Sequence, residues 1–205
     1  MSIEKRRERD KEEMRELILA AASEIAALEG FECISIRKIA TKIEYSPSLI
    51  YHYFADKDEI INNLMQSGYK KIVTAVSSVQ IESTSPKDRL VQMSKNYIAA
   101  ALKMPQEFMA AHLNKSPQAL KHTASLYKGA SNDKQALAEL YECVKEINKD
   151  KELNSSKIEI IAQMIVVSSI GLIIKLIIEK DIDDEQTQVL INYFSEEVVL
   201  KIAKA

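Results

Sequence analysis

The sequence predicts an all-α chain of nine or ten helices. Three observations carry this. Four Gly and four Pro in 205 residues are too few for the tight turns of a β-sheet protein. Apolar residues recur at i, i+3, i+4 and i+7 along most of the chain. The breaks between these stripes carry helix-start residues, Ser-Pro above all. A composition of 46% hydrophobic and 28% charged residues supplies a globular core.

The elements follow in order. Met14, Leu17, Ile18, Ala21, Ile25 and Leu28 form one stripe and predict a helix from Lys11 to Leu28, stopped by Gly30. Ser35 caps a second helix with Ile36, Ile39, Ala40 and Ile43 inward. After a break at Glu44-Tyr45, Ser46-Pro47 opens a short third helix that ends near Tyr53-Phe54. Asp56 with Glu59 starts a fourth, long helix, predicted to run to about Val79. Ser85-Pro86 opens the fifth, and Pro105 and Ser116-Pro117 mark further starts. Gly129 to Asp133 is a break, after which Asn132 or Asp133 is expected to cap a helix to Asn148. Ser156 with Glu159 predicts a capping box for a very apolar helix, and Asp183 or Asp184 starts the last. The expected domains are 1–64 and 65–205, with the boundary inside the fourth helix.

Several classes of function find no support. Cys33 and Cys143 have neither disulfide-framework nor zinc spacing and read as reduced thiols. His52, His112 and His122 lack a paired ligand, so no metal and no cofactor is expected. No phosphate loop, nucleophile elbow or catalytic dyad is present, so an enzyme is not expected. The charged stretch Met1 to Lys11 has no apolar run behind it, and a cytoplasmic protein is expected. Within Ile158 to Ile178, 16 of 21 residues are apolar. That meets the length of a membrane span, but a helix buried in protein on all sides reads the same way, and no membrane contact is expected.

Residues 35 to 57 carry the most specific signal: two short helices a few residues apart, the second opening on Ser-Pro. This is the layout of a helix-turn-helix, whose second helix presents its first residues to base edges in the major groove. Ile39-Ala40, Ser46, Tyr51-His52-Tyr53-Phe54 and Lys57-Asp58-Glu59-Ile60 resemble the signature of the TetR (tetracycline-repressor) family. The resemblance covers about 45 residues, from the first helix into the fourth. It implies an N-terminal three-helix DNA-binding domain and a C-terminal helical domain for ligand binding and dimerisation. It further implies that Arg37 meets a base or phosphate, that Pro47, Ser48 and Leu49 face base edges, and that Tyr51 and His52 meet phosphates. Lys57, at a helix N-terminus, is placed to hold another phosphate. Ser35, Lys38, Tyr45 and Ser46 complete the candidate surface.

Two departures from the family pattern stand out. Glu44 occupies the usual position of a turn glycine, so a backbone with φ > 0 is expected at some cost. Leu49 replaces a common threonine and offers a thymine methyl contact instead of a hydroxyl. Charge also runs against DNA: residues 1–60 hold ten Lys or Arg against thirteen Asp or Glu, although the net for the whole chain is only −2. Arg37, Lys38, Lys42 and Lys57 are the favourable charges in the motif, and Lys5, Arg6, Arg7, Arg9 and Lys11 lie in the expected N-terminal tail.

Beyond the motif, Tyr53 and Phe54 read as core, with Tyr51 outside. Met93, Tyr97, Met104, Phe108, Met109, His112, Tyr127, Tyr141 and Met164 are candidates for a pocket holding a small apolar or amphipathic effector, or for plain core packing. Val167, Ile170, Gly171 and Ile174, with Leu190, Tyr193 and Phe194, are candidates for a homodimer interface built as a four-helix bundle. The function expected from the family is a ligand-responsive repressor that binds a palindromic operator. Control by a protein partner or by no ligand is the alternative, as is a helical interaction protein with a decayed DNA face.

Overall fold

The computed structural model describes residues 3–77, 85–113, 117–179 and 181–204. Every regular element among them is helical. The α-helices are α1 (Ile3–Glu29), α2 (Ile36–Lys42), α3 (Pro47–Tyr51), α4 (Lys57–Ser77), α5 (Pro86–Leu102), α6 (Pro105–Leu113), α7 (Pro117–Thr123), α8 (Ala130–Asp133), α9 (Gln135–Ile147), α10 (Ser155–Ile178), α11 (Asp184–Tyr193) and α12 (Leu200–Ala203). A 3-10 turn follows α1 at Phe31–Cys33, and a π-helical stretch, Phe194–Val199, joins α11 to α12. These described pieces outnumber the expected helices because the extra ones are short: α7, α8 and the subdivided C-terminal rod. The expected end of α4 near Val79 and the start signal at Ser116 lie outside the described residues.

Local capping chemistry sets most starts. The hydroxyls of Ser35, Ser46 and Ser85 and the carboxylate of Asp183 each accept a backbone N–H three residues on. Three expectations are corrected. The basic N-terminal stretch is not a tail: α1 begins at Ile3, supported in its exposed first turns by pairs such as Arg9 with Glu13 (3.4 Å). Asn154, not Ser156, caps α10 by accepting from the Lys157 N–H at 2.9 Å. Neither Asn132 nor Asp133 caps α9, whose N-cap position is Lys134; Asp133 accepts instead from the Tyr127 hydroxyl at 2.9 Å.

The chain forms two compact units. The first comprises Met1–Tyr69 and Gln106–His122, the second Lys70–Pro105 and Thr123–Ala205. In the first, Ile18, Ala22 and Ile25 of α1 close over Ile34, Ile39, Ile50, Phe54 and Ile60. In the second, Leu90 and Met93 of α5, Leu140 and Val144 of α9, Ile161 and Ile165 of α10, and Val199 and Ala203 at the chain's end make one apolar cluster. Among its polar groups, the Ser94 and Ser195 hydroxyls bond at 3.0 Å, and Arg89 Nε donates to Cys143 Sγ at 3.1 Å while its guanidinium pairs with Glu146 at 2.6 Å. Asn148 Nδ2 donates to the Val144 and Ala203 carbonyls, while its buried Oδ1 has no partner among the described residues. Cys33 and Cys143 are both free thiols.

Candidate nucleic-acid interface

The surface is built from α2 outward. Ile39 and Ala40 bury the inner face of this helix, leaving Arg37 and Lys38 exposed. Ser35 spends its hydroxyl on the Lys38 N–H at 3.2 Å. At the other end the chain reverses through Glu44, whose φ of 61° makes it the one non-glycine with positive φ among the described residues. The Tyr45 N–H donates to Ala40 O at 2.9 Å and the Glu44 N–H to Thr41 O at 3.3 Å. This 6→1 and 5→2 pair is a Schellman motif, with Glu44 in the left-handed position that glycine normally fills. The strain expected from the sequence is therefore present.

Ser46 then turns the chain into α3. Its hydroxyl accepts from the Leu49 N–H at 3.3 Å and lies 2.8 Å from the Ser48 hydroxyl. Both serines hold the start of α3, so their side-chain positions are fixed in advance of any contact. Ile50 and Phe54 are buried and Tyr53 packs against the same core, as the helical stripe predicts. Tyr51 is 57% exposed, Tyr45 48% exposed, and His52 lies at the surface beside them in sequence. Two tyrosines held out in water on adjoining elements are a surface prepared for a partner.

The turn between α3 and α4 is held by a contact that reading along the chain does not reveal. The guanidinium of Arg15, on α1, lies over the Phe54 ring at 4.1 Å, pairs with Glu59 at 3.7 Å and donates to the Tyr53 carbonyl. Glu59 also accepts from the Ala55 N–H at 2.7 Å, while Asp56 accepts from the Glu59 N–H at 2.8 Å. These bonds fix the first turn of α4. Lys57 is its first residue and forms no ion pair among the described residues. The N–H groups of Lys57 and Asp58 have no acceptor within the helix and point out of its end.

Electrostatically the surface is less positive than its cations suggest. Lys38 Nζ pairs with Glu29 at 2.5 Å, and Lys42 Nζ pairs with Glu24 at 2.7 Å. The hydrogen bond that Lys38 donates to Glu29 raises the Lys38 pKa above its ordinary value. Arg37 and Lys57, by contrast, carry their charge unpaired among the described residues.

The candidate pocket residues do not gather in one unit. Phe108, Met109 and His112 belong to the first and the others to the second. Phe108 is fully buried, its ring 4.3 Å from that of His112, whose burial lowers its pKa to about 4. Met93 and Tyr97 fill the second core, and Met104 is part-buried at the end of α5. Tyr127 is 40% exposed. Tyr141 lines an open polar cleft, described below. Met164 is 41% exposed and lies on the outer stripe of α10.

That stripe runs through Ile160, Met164, Val167, Gly171, Ile174 and Ile178, with Ile174 part-buried and the rest exposed. Val189 and Tyr193 are exposed on α11. Of the interface candidates, Val167, Gly171, Ile174 and Tyr193 fall on this surface. Ile170, Leu190 and Phe194 are part-buried, and Phe194 packs against the core of its own unit. A Cβ built on Gly171 meets nothing within 4 Å.

Two short helices joined by a tight left-handed turn, the second exposing its first residues, define a DNA-binding helix-turn-helix protein. Residues 18–64 match the family of bacterial regulatory proteins of the tetR type. Over that stretch the chain matches the N-terminal domain of the TetR family of transcriptional regulators. It is 30% identical over 92 residues to the HTH-type transcriptional regulator HbdR of Aromatoleum sp. (strain CIB). The aligned stretch is 43% of this chain and 38% of that relative. The whole fold resembles the TetR family regulator PfmR of Thermus thermophilus (TM-score 0.66, 15% identity, 89% of this chain and 97% of that one). It equally resembles the fatty acid degradation regulator FadR of Bacillus halodurans (TM-score 0.66, 18% identity, 92% and 94%).

Proposed function

We propose that this regulator is a cytoplasmic repressor that binds a palindromic operator as a homodimer and responds to a small effector. The exposed start of α3, flanked by Tyr45, Tyr51, Arg37 and Lys57, supports the DNA contact. Dimerisation rests on the α10 stripe. Its spacings of four, three, four, three and four residues follow the 3.5-residue repeat of a coiled-coil seam. An apolar face of this length left in water needs a cover. A second copy of α10 and α11, packed as a four-helix bundle, provides one with twofold symmetry. Symmetry in the protein then requires symmetry in the operator.

The test is selection of bound duplexes from a random library, together with light scattering. The expected product is a dimer that enriches an inverted repeat whose half-sites are about one DNA turn apart, roughly 34–36 Å. Tyr51→Phe and Lys57→Ala should weaken all duplexes alike, because phosphates carry no sequence. Arg37→Ala and Ser48→Ala should change the preferred sequence. Unchanged affinity in both Tyr51→Phe and Lys57→Ala would remove the assignment. A regulator controlled by a protein partner, or by no ligand, is the second reading. The complete burial of Phe108 and near-complete burial of Met93 favour it, since both fill cores.

A further inference from the structure

Glu159 of α10 is the one charged side chain buried among the described residues, at 8% exposure. Its Oε1 accepts from the Ser131 N–H at 3.0 Å and from the Ser131 hydroxyl at 2.8 Å, and its Oε2 accepts from the Gly129 N–H at 2.9 Å. These bonds, the Ser131 N–H foremost, hold its pKa below the usual carboxylate value, so the group is an anion at neutral pH. They occupy three of about four acceptor positions on a carboxylate and bring no countercharge. No cationic nitrogen among the described residues comes within ion-pair distance of it. Its carboxylate edges a cleft in which no protein cation among the described residues meets it.

Glu159 also lines a cleft of about 430 Å³ between α8, α9 and the start of α10, with Lys128, Ser131, Tyr141, Glu142 and Ser156 among its walls. That volume suits a small molecule. Glu142 is already paired with Lys145 at 3.1 Å, and exposed Lys128 adds only a long-range pull on Glu159. Tyr141 contributes an aromatic wall, and ring faces attract cations.

We propose that this cleft binds a small organic cation, an ammonium or amidinium on a compact apolar body, with Glu159 as its countercharge and Tyr141 as its wall. The regulatory meaning of the site rests on the effector-responsive reading above; the binding itself does not. Lys128, of like charge at the rim, competes with the ligand.

Calorimetric titration of the full chain with benzylamine and with its neutral analogue benzyl alcohol tests this. Benzylamine should bind at least about tenfold more tightly, as a charge-assisted contact requires. Glu159→Gln should erase that preference, Tyr141→Leu should weaken benzylamine severalfold, and Lys128→Ala should strengthen it. Equal binding of the two probes, or a preference that survives Glu159→Gln, would overturn the proposal. Should Glu159→Gln fail to fold, Tyr141→Leu and Lys128→Ala decide, and benzylamine affinity unmoved in both overturns it. Duplex binding is measured in parallel. If the ligand-free chain binds no DNA, the regulator reading fails while cation preference still supports the site. If benzylamine does not bind and DNA does, only the site fails.

Discussion

Replacing Glu44 tests the strain and the charge of the helix-turn-helix separately. Its φ of 61° costs an L-residue about 1–2 kcal/mol. Glycine takes this conformation freely but loses more freedom on folding, roughly 0.5–1 kcal/mol. Glu44→Gly should therefore stabilise the protein by a net of about 0.5–1 kcal/mol. On a chain of this size that raises the melting temperature by about 1–4 °C. Glu44→Ala keeps the strain and should leave stability near that of the parent chain. Glu44→Gln keeps the strain and removes the charge. It should bind duplex DNA severalfold more tightly at low salt, because the exposed carboxylate sits next in sequence to Tyr45 and Ser46, within about a Debye length of any bound phosphate. Thermal unfolding and duplex titration of the three variants separate the effects. If Glu44→Ala is as stable as Glu44→Gly, the left-handed turn carries no strain and the reasoning fails.

Gly171→Glu should leave the isolated subunit folded, since the new side chain meets open space in its own chain. In a dimer it would bury unpaired charge at the seam, costing about 3 kcal/mol or more and raising the dissociation constant at least about a hundredfold by ultracentrifugation; an unchanged dimer would place the interface elsewhere. His112, lowered to about 4, is neutral when folded and takes up a proton more readily when unfolded. Its contribution is intact above about pH 6.5 and is lost as pH falls towards 4, amounting to about 3 kcal/mol in all. Urea titrations at pH 7 and 4.5 should show that His112→Gln flattens this slope.

The parts of the fold legible in the sequence are those set by residues close together along the chain. Ser35 and Ser46 cap the helices they were expected to cap, and Asp183, one of two candidates, caps the last, because a cap reaches only three residues. The left-handed turn was legible at Glu44 because the family resemblance places a turn glycine at that position. The failures involve competition between neighbours or distant partners. Asn154 outcompeted Ser156 for the start of α10, and Glu159, freed from the expected box, reaches back to Gly129 and Ser131. Arg15 meets Tyr53 and Phe54 across 38 residues of sequence, a distance at which no periodicity signals a contact. Phe194 is an interface candidate by its apolar character; a π-helical stretch begins at this residue, and its ring packs on the core.

Counting charges was equally blind to pairing, and this leads to the last prediction. The excess of acids over residues 1–60 argues against DNA only if those acids act independently of the lysines. Two of them do not: Glu29 holds Lys38 and Glu24 holds Lys42. All four side chains are substantially exposed, and exposed pairs are worth little, so DNA can exchange a phosphate for the carboxylate at small cost. The acids then act as a brake on non-specific binding, because each lysine offered to a phosphate leaves a carboxylate behind. Removing the brake with Glu24→Gln and Glu29→Gln should tighten binding to unrelated duplexes more than to the operator. Each lysine thereby committed to a phosphate should steepen the dependence of log affinity on log salt by about 0.9. The double variant should therefore lose discrimination while gaining affinity, measured by duplex titration between low and moderate salt. If the salt slope of the double variant equals that of the parent chain, Lys38 and Lys42 do not reach the DNA, and the contact surface narrows to Arg37, the start of α3 and Lys57.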